Sequence, residues 1–136
     1  MNPQIDNCVF CEIAGGRISV EGLKCHGSTT ISFIPLNPVT PGHRLFVPFE
    51  HGSDVADRPA HAAMALFWAG RWGAEKNEDF NIITSRGEYA TQTVFHTHIH
   101  YVPRRKGDGL LLPWSNQEKQ APLKVKRAPK VAHGGL

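Results

Sequence analysis

Three histidines alternate with other residues in the segment QTVFHTHIHYVPR, which spans residues 92–104. Because successive side chains of a β-strand point to opposite faces, this alternation predicts that His96, His98 and His100 share one face of a strand. Their Cα atoms would be spaced by about 6.6 Å, which allows a common hydrogen-bond network or a shared ligand. The segment therefore constrains both the local structure and the chemistry that the chain can perform.

Three interpretations of this segment are open from the residue types alone. A single buried histidine is usually a core residue with satisfied hydrogen bonds, but strict alternation of three histidines makes that interpretation unattractive. Histidines at alternate strand positions can instead bind zinc through two or three nitrogens. A neutral imidazole near pH 7 can also act as a nucleophile when its second nitrogen is held by a hydrogen bond.

The rest of the chain predicts a sheet and one long helix. Segments rich in β-branched and alternating apolar residues predict five strands at residues 21–26, 29–34, 42–48, 80–84 and 93–102. Three prolines, Pro35, Pro38 and Pro41, predict an extended loop between the second and third strands. A turn of helix is expected at residues 11–14, before two glycines.

The long helix is expected to begin with Asp54 or Asp57 as its N-cap and Pro59 in its first turn. Large apolar side chains recur in it near helical spacing, and they predict a face that packs on the sheet. These residues are Met64, Phe67, Trp68 and Trp72.

Composition and charge describe one domain with a separate tail. The 136 residues carry 15 Lys and Arg and 12 Asp and Glu, which is typical of a single globular domain. Residues 115–136 have a net charge of +4, whereas residues 1–114, the predicted domain, have a net charge of −1. The basic side chains of the tail are Lys119, Lys124, Lys126, Arg127 and Lys130. The tail is interpreted either as a solvated, flexible end or as a nucleic-acid contact.

No stretch approaches the roughly 20 apolar residues that a membrane-spanning helix needs. The first residues also lack a basic segment followed by an apolar run, so a cytoplasmic protein without a membrane partner is expected. Three cysteines cannot all pair with one another, and two of them are spaced as Cys8-x-x-Cys11. Reduced or metal-bound thiols are therefore expected rather than a disulfide framework.

Three blocks of the chain resemble signature segments of the histidine triad (HIT) family. The first is Cys8-Val9-Phe10-Cys11-Glu12-Ile13, and the third is the His-x-His-x-His segment with its flanking residues. The second is Pro38-x-x-Pro41-Gly42-His43-x-Leu45-x-Val47-Pro48-x-x-His51. The resemblance implies an α+β fold, with a mostly antiparallel five-stranded sheet, one long helix and a short N-terminal helix. It also implies a homodimer.

The resemblance implies a nucleotidyl hydrolase or transferase that acts on a purine nucleotide or nucleotide conjugate. The matching nucleophile is His98, which would attack the α-phosphorus of a nucleoside phosphoramidate, a dinucleoside polyphosphate or a related ester. His100 would bind the phosphoryl oxygens, and Gln92 and Thr93 would contact the phosphate and the departing group. The additional histidine, His43, would orient the triad. No organic cofactor is implied.

A structural zinc ion is the implied metal. The matching ligands are the two cysteines of the first block, the histidine that closes the second block, and the first triad histidine, which also belongs to the catalytic set. In this chain they are Cys8, Cys11, His51 and His96. The alternative is a pair of buried thiols without metal. The third cysteine, Cys25, is expected to pack as a small apolar residue.

Several positions depart from the family pattern in ways that concern substrate choice. Pro35 stands where many members have an acidic residue for the ribose hydroxyls, and Asn37 is the residue that would substitute for it. Ser85 stands where an asparagine commonly reaches the phosphate region, and Thr91 replaces the usual glycine before Gln92. These departures motivate a second hypothesis, a nucleotide- or nucleic-acid-binding module that has lost turnover.

Overall fold

The fold was determined as a computed structural model, which describes residues 7–115. It confirms the expected α+β class. The strands are β1 (Lys24–His26), β2 (Thr30–Phe33), β3 (Arg44–Pro48), β4 (Phe80–Ile83) and β5 (Ile99–Pro103). The helices are α1 (Val9–Ala14), α2 (Pro59–Lys76) and a short 3-10 helix at Glu88–Ala90. Except for Ser115, the basic tail lies outside the described residues. The predicted boundary between the domain and the tail, after residue 114, therefore stays a prediction.

The five strands form one antiparallel sheet in the order β1-β2-β3-β5-β4. The last strand of the sequence therefore lies between β3 and β4, and its His100 is opposite Leu45 on one side and Ile83 on the other. All five residues of β3 are buried, as expected for a strand with neighbours and covering layers on both sides.

The two helices cover opposite faces of the sheet. Leu45 and Val47 pack with Phe10 and Ile13 of α1, whereas the intervening Phe46 packs with α2. This division follows from the two-residue period of a strand, which sends alternate side chains to opposite faces. Because His100 pairs directly with Leu45, its side chain lies on the face that α1 covers.

The start of α2 differs from the sequence prediction. Arg58 occupies the N-cap position without a side-chain cap, and Pro59 is the first helical residue. The two aspartates stabilise the preceding turn instead: Asp54 accepts from the N–H groups of Ala56 and Asp57, and Asp57 accepts from the N–H of Ser53. Short polar side chains bond nearby backbone in this way and compete with helix capping.

The packed face of α2 also differs from the prediction. Its buried residues are the small ones, Ala62, Ala65, Ala69 and Gly73. Met64 and Phe67 are 39% and 51% exposed, so this half of the predicted apolar stripe faces outward. Trp68 and Trp72 are partly buried and do pack against the sheet. Small residues let the helix approach the strands closely, and the tryptophans fill the space beside them.

Two further expectations need correction. Cys25 is exposed rather than packed, because it lies on β1, a strand at the edge of the sheet. The fifth strand begins at Ile99 rather than at residue 93.

Among residues 7–115, no helix is both long and apolar enough to span a membrane.

Candidate active site

The triad is not a continuous strand. Only His100 lies in β5, whereas His96 and His98 belong to the irregular segment before it. The N–H of Thr97 donates to the carbonyl of Gly52 at 2.8 Å, outside the sheet. Residue 97 thus bonds to the loop after β3 and not to the strand ladder. The rings of His98 and His100 nevertheless lie 5.1 Å apart, and Phe10 packs edge-on against both His96 and His98.

The hydrogen bond of His98 sets which ring nitrogen carries its proton. Nδ1 of His98 lies 2.8 Å from the carbonyl oxygen of His96. A carbonyl only accepts, so Nδ1 is the donor and Nε2 of the neutral ring keeps its lone pair. Burial lowers the pKa of His98, although the bond to the His96 carbonyl opposes this effect. The ring is therefore held neutral with one nitrogen available for attack.

A chain of hydrogen bonds fixes the proton of His100 in the same way. The N–H of Val39 donates to Nδ1 of His43 at 3.1 Å, so the proton of neutral His43 is on Nε2. That nitrogen lies 3.0 Å from Nδ1 of His100, which accepts. Burial, together with the neighbouring His98 and His43, lowers the pKa of His100 to about 4. Neutral His100 consequently presents Nε2–H as a donor.

The four remaining predicted site residues lie in different surroundings. Gln92 is buried, and its amide bonds to backbone groups: Oε1 accepts from Gly87 N–H, and Nε2 donates to the carbonyls of Ser53 and Val94. Thr93 is exposed and lines a cavity of about 440 Å³ together with Cys8 and His51. Asn37 is exposed and Ser85 half-buried, and within residues 7–115 neither side chain makes a hydrogen bond. Their predicted contacts to a substrate stay predictions.

A second cluster lies beside the triad. Its side chains come from the N-terminus of α1, the loop after β3 and the segment before β5, and they are Cys8, Cys11, His51 and His96. One ligand atom from each residue lies within 4.8 Å of all the others. These are the four residues that the sequence resemblance assigns to a metal.

The geometry of this cluster fits zinc. Tetrahedral zinc with bonds of about 2.3 Å to sulfur and about 2.0 Å to nitrogen requires sulfur–nitrogen separations of about 3.5 Å. Nδ1 of His96 lies 3.5 Å from both sulfurs, and Nδ1 of His51 lies 3.4 Å from the Cys11 sulfur. Nε2 of His96 donates to the Pro48 carbonyl at 2.8 Å, which directs the unprotonated Nδ1 at the cluster. Burial lowers the pKa of His96 to about 4 and keeps it neutral.

Sequence reasoning missed two contacts that hold the triad segment. Gly52 receives both the N–H and the hydroxyl of Thr97 on its carbonyl. The hydroxyl of Thr84, at the end of β4, donates to the carbonyl of His98 at 2.8 Å. Threonine is common at strand ends, and no motif distinguishes this one, so the sequence carries no signal for the contact.

Comparison with known proteins gives a family match. A model of the HIT domain matches residues 26–107, which include His43, the triad and the whole sheet apart from the first residues of β1. The chain is 32% identical over 114 residues to an adenosine 5′-monophosphoramidase from Saccharomyces cerevisiae, covering 82% of this chain and 72% of that protein.

Two further proteins are similar. An adenylylsulfatase from Arabidopsis thaliana is 29% identical over 119 residues, covering 82% of this chain and 58% of that protein. The solved structure of a zinc-bound histidine triad family protein from Mycobacterium smegmatis is 35% identical. It superposes with a TM-score of 0.66 and covers 77% of this chain and 80% of that one.

Proposed function

The chain belongs to the histidine triad (HIT) family of nucleotide hydrolases, and from this premise we propose that it cleaves nucleotide conjugates through a covalent nucleotidyl-histidine on His98. The substrate class is a nucleoside phosphoramidate, a dinucleoside polyphosphate or a related nucleotide ester. One observation carries the proposal: the 2.8 Å bond from Nδ1 of His98 to the His96 carbonyl leaves Nε2 as the free nucleophilic nitrogen.

The reaction has two displacement steps at the α-phosphorus. In the first, the Nε2 lone pair of His98 forms a bond to phosphorus while the bond to the leaving group breaks, and the leaving group takes up a proton. The nucleotidyl-imidazolium that forms is stabilised because its Nδ1–H still donates to the His96 carbonyl. In the second step, water attacks phosphorus, releases a proton and displaces the imidazole.

His100 is placed to bind the phosphoryl oxygens. Its Nε2–H is a donor because Nδ1 already accepts from His43. A donor that is oriented before substrate arrives stabilises the charge that develops on the phosphoryl oxygens without reorganising. His43 acts through His100, and it is itself oriented by the N–H of Val39.

The four-residue cluster would hold zinc as a structural ion. Bound zinc would cross-link α1, the loop after β3 and the triad segment. The protein contributes a neutral His96 whose Nδ1 faces the sulfurs, and the same residue's carbonyl orients His98. Reduced thiols in the cytoplasm, where we place the protein, suit such a site.

Adenine nucleotides are the first substrates to test, because the relatives named above are an adenosine 5′-monophosphoramidase and an adenylylsulfatase. Purified protein would be incubated with adenosine 5′-phosphoramidate, adenylyl sulfate and a diadenosine polyphosphate, and AMP release would be measured. We expect release to fall by at least a thousandfold in His98→Ala, since the nucleophile is lost. His61→Ala is the matched control, because His61 pairs with Glu50 away from the triad. Equal release by wild type and His98→Ala would refute the mechanism.

A second candidate function is nucleotide binding without turnover. Pro35 offers no side-chain acceptor to a ribose, and Asn37 and Ser85 form no side-chain bond in the described part of the chain. Calorimetric binding of AMP together with undetectable AMP release would favour it. Salt-dependent binding of RNA or DNA that is lost on deleting residues 115–136 would instead assign a nucleic-acid role to the tail.

We also propose that the protein forms a homodimer through the outward face of α2. Met64 and Phe67 are exposed there, and large exposed apolar side chains on one helix face mark an interface. Light scattering would show twice the chain mass for wild type and the mass of one chain for Phe67→Glu. A wild-type mass of one chain at tens of micromolar would contradict the proposal.

A further inference from the structure

The nucleophile's main chain lies just beyond the point where the sheet stops supporting it. The ladder between β4 and β5 ends with the pair Ile83–His100. His98 is two residues before that pair, in a segment with no strand pairing among the described residues. Its orientation therefore depends on individual hydrogen bonds rather than on the sheet.

Thr84 makes one of these hydrogen bonds. It is the first residue after β4, and its hydroxyl donates to the carbonyl oxygen of His98 at 2.8 Å. The Thr84 side chain thus adds one more hydrogen bond between the two segments, beyond the last backbone pair of β4 and β5. Residue 97 is fixed separately by two bonds to the Gly52 carbonyl, and these do not involve the peptide that follows His98.

We infer that Thr84 is a positioning residue for the nucleophile, an inference that rests on the function proposed above. Thr84 holds the carbonyl of His98, and the imidazole of His98 bonds back to the carbonyl of His96. Both peptides that determine where Nε2 points are then anchored. Attack at phosphorus requires the nitrogen in line with the departing bond, and a small misplacement of a reacting group costs much of the rate.

Thr84 has this role because of its place and its hydroxyl, not because of burial. The side chain is exposed, so its removal leaves no cavity, and valine has nearly the same shape and strand preference. A structural role would show as lost stability, whereas a positioning role would show as lost turnover at unchanged stability. Thr84→Val separates the two, and Thr84→Ser returns the hydroxyl.

The experiment measures kcat and KM for adenosine 5′-phosphoramidate, the thermal midpoint, and the imidazole ¹⁵N shifts of His98. We expect Thr84→Val to lower kcat about tenfold, with KM within about twofold of the wild-type value. The fraction of His98 protonated on Nε2 should rise, since the bond to the His96 carbonyl is less well aligned. Thr84→Ser should restore kcat and the Nδ1–H tautomer. Thr29→Val, which changes an exposed threonine in the β1–β2 turn, should behave as wild type.

Wild-type kcat and wild-type ¹⁵N shifts in Thr84→Val would overturn the inference. So would a loss of kcat that Thr84→Ser does not reverse, or one that follows a matching loss of stability. If wild-type protein releases no AMP from any of the three substrates, the proposed function fails. The tautomer of His98 in the Thr84 variants then still decides whether Thr84 orients that ring.

Discussion

His96 connects the two clusters of the site within one residue. Its Nδ1 faces the cysteine sulfurs, its Nε2 donates to the Pro48 carbonyl, and its own carbonyl accepts from Nδ1 of His98. The side chain thus belongs to the cysteine–histidine cluster, and the main-chain carbonyl orients the proposed nucleophile, His98. A change at His96 would disturb both, so its effect on turnover cannot be assigned to chemistry alone.

Thr91 adopts a backbone conformation that suits glycine better. Its φ is +71°, in the left-handed region where a β-branched side chain is strained. We expect Thr91→Gly to stabilise the fold by about 1 kcal/mol, measured by urea unfolding, because relief of strain exceeds the entropy that glycine adds to the unfolded chain. Thr29→Gly, at a position without positive φ, should instead destabilise. Lower stability of Thr91→Gly would show that the turn is unstrained.

At the residue scale, Thr91 and Thr84 show what sequence reasoning does and does not identify. The departure from the family glycine identified Thr91 as unusual, because it could be compared with a pattern. Thr84 gave no such signal, since its partner is a carbonyl 14 residues away in an irregular segment of the chain. A local sequence pattern can indicate the conformation of a residue, but it does not identify a hydrogen-bond partner that is distant in the sequence.

The close contact between α2 and β4 depends on a glycine, Gly73, which has no side chain. A Cβ at Gly73 would overlap the ring of Phe80, with the ring atoms Cζ at 2.6 Å and Cδ1 at 2.8 Å. We expect Gly73→Ala to destabilise by about 2 kcal/mol in urea unfolding, since either the helix or the strand must move. Gly70→Ala is the matched control: nothing lies within 4 Å of its Cβ, and it should stabilise by about 0.5 kcal/mol. Equal effects of the two substitutions would contradict this packing.

The layer between α2 and the sheet also contains a histidine. His26 packs against Phe46, Trp68 and Trp72, and its Nε2 lies 2.6 Å from the Ser32 hydroxyl. Burial lowers its pKa, and the charges of Arg44 and Lys24 lower it further, against a weaker opposing effect of Glu75.

This shift predicts a pH-dependent stability with a definite sign. In the unfolded chain His26 gains a proton near pH 6.5, whereas in the folded state it stays neutral to a lower pH. Stability should therefore fall as the pH drops through 6.5. We expect His26→Phe, which keeps a ring and cannot titrate, to lose less stability than wild type between pH 8 and pH 5. If the urea midpoints of both proteins change equally over this pH range, His26 is not a cause of the pH-dependent stability.

At the scale of elements, local patterns predicted the five strands and the long helix, because alternation and turn residues act locally, and the family resemblance implied the fold class. The start of β5 was predicted six residues early. The alternation of the histidines is real, but the N–H of Thr97 bonds to the Gly52 carbonyl outside the sheet, and residues 96–98 form no strand. Met64 and Phe67 were predicted to face the sheet, but they face outward. Helical spacing identifies an apolar stripe, but it does not show that the small alanines, rather than these two residues, pack against the sheet.

At the scale of the whole molecule, zinc would join segments that are far apart in the sequence. Cys8 and His96 are 88 residues apart and their ligand atoms lie 3.5 Å from each other. We expect about one zinc per chain by elemental analysis, and a thermal midpoint lower by about 10 °C in Cys11→Ser. Cys25→Ser is the matched control, because Cys25 is exposed and outside the cluster. An unchanged midpoint and zinc content in Cys11→Ser would exclude the site.

The order of the strands has a consequence for how the molecule folds. β1, β2 and β3 pair consecutively, and so do β4 and β5, but the pairing of β5 with β3 joins strands that α2 and β4 separate in the sequence. Contacts between distant segments form slowly, since the loop between them must close first. The proposed nucleophile, the proposed phosphate-binding histidine and the last of the proposed zinc ligands all lie on β5 or shortly before it. A chain in which β5 has not yet paired with β3 would contain nearly all of its secondary structure but neither a phosphate pocket nor a complete site for the proposed zinc. Zinc retention would therefore report the finished fold rather than an early intermediate.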